Sequence, residues 1–580
     1  MTARAPVAPR GTSAPAAQRV RGVVWAALAV AVAAPPVAYL AVERRHRLLP
    51  LGWDIFGYIW QTGAVGHGAL SALGTRPGMP AMAALLRAAI PLAPAREMVV
   101  LPLALTVALA FACAAAVRTS FRLPPWTAPA VALVVALWPG SARILVGYEA
   151  NLLLLVLVAA GLTALIHAGG RTPSLVLAGA MFLAAALTHA AIFAAFSVVT
   201  ALFVLLSGRA FRSDRRDGVP LLGTDAGAAA VTVIGAGAVG AGVLFGALGL
   251  RPSQTINTSQ VSFLFRDRTI EELRRARPPA SVPVGFLGAA WSWAMGGTRS
   301  ARALLRFGAA WLAVGAAGIL LSLRGNGIPG ARFLLFALPV PVLAGLGVAG
   351  TAWLVAGRAR WWSAGLGVAV VGVMASGFAW PGLQFVRYQF TPLRSSTMAE
   401  QRGAFAYLTT VPGSPPVVFV VNQPGPHGAF TPKLRFNVLR SFVPPDQIDR
   451  TFVYVGDYEN LLAGRPTLIP PTQPWQVTYD TVSRDTWAQA GPAFREGAVV
   501  LITRNDDVDG FGRAVASDPS REVATGLYAL RGPILHVPTP PPGRPFGTAA
   551  AGLAVLGYLA ALFALGWGPA GVALRDTGAT

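Results

Sequence analysis

Apolar residues recur along the chain in long runs, separated by short polar stretches that carry arginine. A run of roughly 18 or more apolar residues is long enough to cross a bilayer as one helix. The pattern predicts about twelve transmembrane helices. They span approximately 22–42, 98–117, 127–142, 151–167, two within 174–207, 226–249, 283–297, 307–322, 333–356, 362–380 and 547–567.

The arginines between these runs predict the orientation, because arginine in short loops stays on the cytoplasmic side. The run 283–297 is about 15 residues long, which is short for a span. Omitting it would place Arg358 and Arg360 outside, so the arginine distribution favours keeping it. We therefore expect a multi-pass plasma-membrane protein with both termini in the cytoplasm.

The chain divides into four segments by composition. Residues 1–21 are rich in Ala, Pro and Arg and predict a disordered cytoplasmic tail. Residues 22–380 form the transmembrane domain, whose first span we interpret as an anchor and not as a removed signal peptide. Polar residues and proline return in 381–545, and 546–580 contains the last helix and a cytoplasmic tail.

Short β-prone runs alternate with helical stretches in 381–545, which predicts a small extracytoplasmic α/β domain before the last helix. These runs are 417–421, 452–455, 499–503 and 523–530.

Composition excludes several classes of protein. Hydrophobic residues make up 54% of the 580 residues and charged residues 12%, about half of the ~25% that is usual for soluble domains. The net charge of +23 comes from arginines that are spread between apolar runs, so no nucleic-acid partner is expected. Cys113 is the only cysteine, which rules out an internal disulfide.

The first outer loop contains the strongest candidate for chemistry. Segment 52–60 reads Gly-Trp-Asp-Ile-Phe-Gly-Tyr-Ile-Trp, so Asp54 lies among aromatic residues that are typical of a membrane interface. A carboxylate in such a place is costly to desolvate and is a functional candidate. The structural alternative is a helix N-cap or a charge that only sets topology.

The predicted topology places Glu149 and Arg332 on the same membrane face as Asp54. A partly dry carboxylate can accept a proton from a hydroxyl, and an arginine can hold a phosphate through paired N–H donors. This set suits sugar transfer from a lipid phosphate. Alternatively, Glu149 is a solvated loop acid or a partner of Arg143, and Arg332 caps a helix.

Several motifs resemble those of GT-C glycosyltransferases, which are polytopic enzymes that use polyprenyl-phosphate sugars. Asp54, Tyr58, the Gly-His-Gly at 66–68 and the Arg-Pro-Gly-Met-Pro at 76–80 resemble the family's first outer loop. Segment 332–339 (Arg-Phe-Leu-Leu-Phe-Ala-Leu-Pro) is similar to an Arg-Tyr-…-Pro stretch that contacts the lipid phosphate in some members. The similarity covers residues 1–380. Many members have two adjacent acids in the first loop, and Tyr where this chain has Phe333.

The resemblance implies an inverting glycosyltransferase in which Asp54 and Glu149 are catalytic. Its donor would be a polyprenyl-phosphate sugar and its acceptor an envelope glycan, lipid or protein. The residues implied to bind substrate are Tyr58, His67, Arg76, Arg143, His189 and Arg332.

No residue cluster has the spacing of metal ligands, although the resemblance is compatible with a divalent cation as cofactor. The three aspartates in 506–509 lack the other ligands of a calcium loop.

Two other functions stay open at this level. A transporter or flippase of envelope lipids would also have about twelve spans, but usually shows two related halves and polar residues near the midplane. A non-catalytic envelope assembly protein would use its outer domain to bind a partner.

Overall fold

A computed structural model of the chain describes its helical core and one sheet. The described residues are 58–59, 62, 77–92, 94–123, 128–138, 149–168, 171–247, 266, 269–270, 273, 288, 290–291, 297–325, 330–335, 337–358, 403–404, 406–413, 417–421, 451–455, 498–503, 522–524, 527–532 and 557.

Eleven helices are defined within these residues. They are α1 (Gly78–Ala89), α2 (Pro94–Phe121), α3 (Ala128–Leu137), α4 (Glu149–Ala168), α5 (Thr172–Thr188), α6 (Ala190–Leu206), α7 (Gly208–Arg216), α8 (225–247), α9 (Arg299–Leu323), α10 (Gly330–Leu335) and α11 (Pro339–Arg358).

Five helical stretches in the described part of the chain are long and apolar enough to cross a membrane. They are Arg96–Phe121, Glu149–Ile166, Asp225–Phe245, Arg299–Leu323 and Arg332–Thr351. The bent pair formed by α6 and α7 meets the same test as one unit. The chain is therefore a helical membrane protein, as its apolar runs predict.

Helices α4 and α5 pack along their length, and the short connection between them makes them antiparallel. Gly161 on α4 faces Phe182 on α5, where a Cβ at position 161 would lie 2.8 Å from the ring. The chain then reverses at His189 and continues as α6. This break confirms that the run 174–207 contains two helices, as predicted.

Aromatic rings fill the space between α5, α6 and α9. Phe196 on α6 is fully buried and contacts the rings of Phe182, Phe307 and Trp311 at centroid separations of 5.5–5.8 Å. Phe203 also contacts Phe307, at 5.1 Å. Since tilted and edge-on rings at these distances attract each other, this cluster fixes α6 against α9.

Helix α8 alternates between two helical types. Its α-helical turns, Asp225–Ala229 and Gly235–Ala241, are each followed by a π-helical stretch, Ala230–Ile234 and Gly242–Ala247. Gly240 approaches α5 so closely that a Cβ would lie 2.9 Å from the Ala186 methyl carbon. Small residues at such positions allow membrane helices to pack tightly.

One end of the bundle is held by polar contacts between distant segments, and we call it the basic end. Arg299 pairs with Asp214 at 2.9 Å and with Asp225 at 3.2 Å. Thr298 donates a hydrogen bond of 2.6 Å to the Ser120 carbonyl. These contacts place the end of α2, the start of α8 and the start of α9 at the same end.

Helix α8 leads away from the basic end, whereas α9 begins at it. Gly288 and Trp291 lie against α11 at Leu343 and Gly350 respectively, so this part of the chain runs beside α11 in the same direction. The rest of the predicted span 283–297 lies outside the described residues, apart from 290 and 297.

Several predicted boundaries are wrong. Helix α9 begins at Arg299 and not near 307, so three predicted loop arginines lie in its first turns. Helix α4 begins at Glu149, which was expected in a loop. Helix α1 spans Gly78–Ala89, where no span was expected, and its first six residues are buried.

The remaining elements form a five-stranded sheet. Its strands are β1 (Val417–Val421), β2 (Thr451–Val455), β3 (Ala498–Thr503), β4 (Glu522–Ala524) and β5 (Leu527–Gly532).

The strand order in the sheet is β2-β1-β3-β5-β4. Strand β1 is parallel to both β2 and β3, whereas β5 is antiparallel to β3 and β4. The run 523–530, expected to be one strand, contains parts of two strands that pair with each other. Val417, Val499 and Leu501 pack with Leu408 in a small core of their own.

Candidate functional site

His189 lies where the chain turns from α5 into α6, and its side chain is 3% exposed. Its backbone is extended, with φ −156° and ψ 83°, so it belongs to neither helix. Its N–H donates to the Ala185 carbonyl at 3.1 Å, and its own carbonyl accepts from Phe193 N at 3.0 Å. These bonds complete the last turn of α5 and the first turn of α6, and they hold the imidazole at the end of the bundle opposite the basic end. We call this the His189 end.

Arg332 reaches His189 across 143 residues of sequence, with Nη1 2.8 Å from the imidazole Nε2. Arginine can only donate hydrogen bonds, so Nε2 must supply a lone pair. A neutral imidazole has one such nitrogen, and Nδ1 therefore carries the hydrogen. The Ile192 amide also points at Nδ1, at 3.4 Å; one neutral imidazole cannot accept at both nitrogens, and we assign the tautomer from the shorter contact with Arg332.

Two glycines hold α10, the helix that carries Arg332. The Phe333 ring rests on Gly318 of α9, where any Cβ would collide with it. Gly330 N donates to Ser322 Oγ at 3.1 Å, and Ser322 Oγ lies 3.0 Å from Thr269 Oγ1. A Cβ at Gly330 would lie 2.5 Å from Ser322 Cβ. Both ends of α10 are thus fixed to α9, which fixes the position of Arg332.

Glu149 is the first residue of α4 and is fully buried. A carboxylate in the first turn of a helix is stabilised by the positive end of the helix dipole. Gly161 on α4 contacts Phe182 on α5. Measured from this contact along each helix axis, Glu149 lies about 18 Å away on α4 and His189 lies about 10 Å away on α5. Since the two helices are antiparallel, both distances run toward the His189 end.

In addition to the pairs of Arg299, the described residues contain an ion pair between α1 and α2 that sequence reasoning missed. Arg87 in the last turn of α1 binds Glu97 in the first turn of α2 through two hydrogen bonds, of 2.5 and 2.8 Å. Glu97 is fully buried and Arg87 is 27% exposed. The signal was available, because an arginine at a helix end precedes a glutamate across a short connection. The pair fixes α1, which also contacts α4 and α5.

Tyr58 is 4% exposed and belongs to the main hydrophobic core. Its carbonyl accepts a hydrogen bond of 2.5 Å from Thr62 Oγ1, as in one turn of helix. The burial places its ring among apolar side chains, where it helps to hold the first-loop segment to the bundle. Four predicted site residues lie outside the described residues: Asp54, His67, Arg76 and Arg143.

The arrangement at the His189 end is suited to binding an anion. Arg332 is half-buried, and a partly dry guanidinium interacts more strongly with a phosphate than one in bulk water. The contact with His189 fixes the orientation of the guanidinium plane and of its N–H donors. In the described part of the chain, no group of three His, Cys, Asp or Glu residues could hold a metal ion.

Comparison with protein-family models and with curated proteins found no match to this chain.

Proposed function

We propose that this chain is an integral membrane glycosyltransferase that moves a sugar from a polyprenyl-phosphate donor to a cell-envelope acceptor. The observation that carries the proposal is the contact of 2.8 Å between Arg332 and His189. It joins two of the residues predicted to bind substrate, from parts of the chain that are far apart in sequence. Glu149, a predicted catalytic residue, begins a helix at the same end of the bundle.

In this proposal the fold is GT-C-like, with about twelve transmembrane helices. The His189 end faces the outside, and the arginine-rich basic end faces the cytoplasm, in keeping with the positive-inside rule. The five-stranded sheet belongs to an extracytoplasmic domain at 381–545, which binds the acceptor. The last helix returns the C-terminus to the cytoplasm.

Arg332 acts on the leaving group. When the bond between the anomeric carbon and the phosphate oxygen breaks, the electron pair stays with that oxygen and negative charge develops on the phosphate. A guanidinium with two coplanar N–H donors stabilises this charge. His189 accepts one N–H of Arg332 and so fixes the plane of the group, and Arg76 or Arg143 assists at the phosphate.

Asp54 acts as general base on the acceptor. Its carboxylate removes the proton from the acceptor hydroxyl as the hydroxyl oxygen attacks the anomeric carbon from the face opposite the phosphate. The configuration of the sugar is therefore inverted. Glu149 orients the acceptor or assists the base, while Tyr58 and His67 help to form the substrate site. A divalent cation is compatible with this chemistry, since it would neutralise charge on the phosphate.

The test is transfer from radiolabelled polyprenyl-phosphate sugars by the purified protein in nanodiscs, with envelope lipid extract as acceptor. We expect transfer by the native chain and a loss of about 10²–10³-fold in Arg332→Gln, the usual effect of removing one transition-state donor. Arg324→Gln is the control, because Arg324 is an exposed arginine at the end of α9.

Variants of His189 separate positioning from folding. His189→Asn keeps a side-chain group that can accept a hydrogen bond from Arg332. This variant should therefore retain more transfer than His189→Ala, and its main effect should be a higher KM for the donor. The proposal is wrong if native protein transfers no sugar from any donor, or if Arg332→Gln is as active as the control.

A further inference from the structure

Helix α7 begins where the apolar part of α6 stops. Leu205 and Leu206, the last residues of α6, are 76% and 49% exposed, as expected for side chains that contact lipid. After Ser207 the axis bends by 59°, and α7 has no buried residue. A helix that turns away from the membrane normal at this point lies at the level of the lipid head groups.

The charges of α7 are divided between two faces. At about 100° per residue, its four arginines fall within about 120° of one another, and Asp214 lies on the opposite side. All four arginines are exposed: Arg209, Arg212, Arg215 and Arg216. Asp214 instead pairs with Arg299 at 2.9 Å. The acidic face is therefore tied to the protein, and the basic face is turned away from it.

Two exposed apolar side chains follow α7 in the chain. Leu221 and Leu222 follow α7 in a 3-10 turn and are 46% and 40% exposed. Arg215 Nη1 donates to the Val219 carbonyl at 2.9 Å, which stabilises the turn between α7 and these leucines. Arginines beside exposed leucines are typical of helices that lie in a membrane interface.

We propose that α7 and the Leu221–Leu222 turn form a binding surface for anionic phospholipid head groups in the leaflet at the basic end. The guanidinium groups bind lipid phosphates, and the two leucines insert between the acyl chains. The charge favours anionic lipids, because Arg299 compensates Asp214 and leaves four arginines facing the head groups against the single exposed Asp217. The proposal requires only that the chain spans a membrane, and it is independent of sugar transfer.

The test uses the full-length chain in nanodiscs that contain equal amounts of phosphatidylglycerol and phosphatidylcholine. Native mass spectrometry of the released protein counts the bound lipids of each kind. The variants are R209Q/R212Q/R216Q, which removes charge, and R209K/R212K/R216K, which preserves it; both keep Arg215 for the turn. Arg212→Gln is compared with Arg324→Gln, an exposed arginine at the other end of the bundle.

We expect the native chain to retain phosphatidylglycerol preferentially, and each Arg→Gln change in α7 to weaken that preference roughly fivefold. The lysine variant and Arg324→Gln should keep it, and high salt should weaken it. Thermal unfolding of the glutamine variant should match that of the native chain, since these side chains are exposed. Equal retention of phosphatidylglycerol by the triple glutamine variant and the native chain would overturn the proposal. A loss of lipid preference in Arg324→Gln as large as that in Arg212→Gln would also overturn it.

Discussion

His189 and Arg332 show how one short contact defines the chemistry of both partners. Arginine has no lone pair to offer, so the distance of 2.8 Å requires a neutral imidazole that presents Nε2. Protonation of His189 would remove the acceptor and place two cations together. The pair is therefore intact only while the ring is neutral, and in that state His189 holds the guanidinium in place.

The ion pair between Arg87 and Glu97 is the clearest case of a buried charge that depends on one partner. Glu97 is fully buried, and both of its oxygens accept from Arg87. Removing one partner of a buried pair leaves a charge with little solvation, which usually costs about 3–5 kcal/mol. Because Arg87 is itself partly exposed, water can reach the site, and the lower part of that range applies.

We therefore expect Arg87→Met to lower the thermal unfolding temperature of the protein in detergent. Arg96→Met, at an exposed position on the next helix, should leave it almost unchanged. The double variant R87M/E97Q should recover part of the loss, because the unpaired charge is then gone. An unfolding temperature for Arg87→Met equal to that of Arg96→Met would show that the pair contributes nothing.

At the scale of elements, the bundle positions its site through close contacts of small residues. Helix α10 has only six residues, too few to be stable alone. It is fixed because Phe333 occupies the space above Gly318 and because Gly330 meets Ser322. Substitutions at these glycines would reach Arg332 through α10, although neither glycine is a substrate ligand.

Gly318→Ala should displace Phe333 and disturb the contact between Arg332 and His189. Gly315→Ala on the same helix is a matched control, since its Cβ would meet nothing closer than 3.9 Å. We expect Gly318→Ala to cost about 1–3 kcal/mol in stability, the usual range for overpacking, and to raise the KM for the donor. The smaller Leu at 333 in G318A/F333L should reverse part of both effects.

Equal thermal stability of Gly318→Ala and Gly315→Ala would show that α10 shifts without cost. A change in stability with no change in donor KM would separate the packing of α10 from the position of Arg332.

At the scale of the whole molecule, two ends of the bundle have different chemistry. Helix α9 connects them: Arg299 pairs with acids at the basic end, and Gly318 supports Phe333 at the His189 end. Its 25 residues extend about 37 Å, more than the ~30 Å of hydrocarbon in a bilayer. Helix α9 is therefore long enough to place its two ends on opposite sides of the membrane.

Cysteine labelling tests this orientation. Cys113 is 4% exposed, so the native chain should react little with an impermeant maleimide. In intact cells we expect Arg324→Cys to be labelled, whereas Arg212→Cys should be labelled only after the membrane is opened. Labelling of both from the same side would contradict the arrangement, and the reverse pattern would invert the topology and place the His189 end inside.

Much of the fold was predictable because it depends on local pattern. Apolar runs define membrane helices through their length, and Thr188 and His189 interrupt one run where the chain turns. The runs at 417–421 and 499–503 are strands, as their local β-prone composition predicts. Helix ends were predicted less well: Glu149 and Arg299 are charged, yet each is the first residue of a helix, because other parts of the bundle surround or pair with them.

The sequence by itself determined that this is a helical membrane protein, with arginine concentrated between its spans and a β-prone segment near its C-terminus. Only the tertiary structure decided that Arg332 meets His189, that Glu97 needs Arg87 and that Phe333 rests on Gly318. The physical reason is the distance along the chain over which each kind of information acts. Hydrophobic periodicity reports which residues leave water together over one helix, whereas a contact between side chains depends on how separate helices pack.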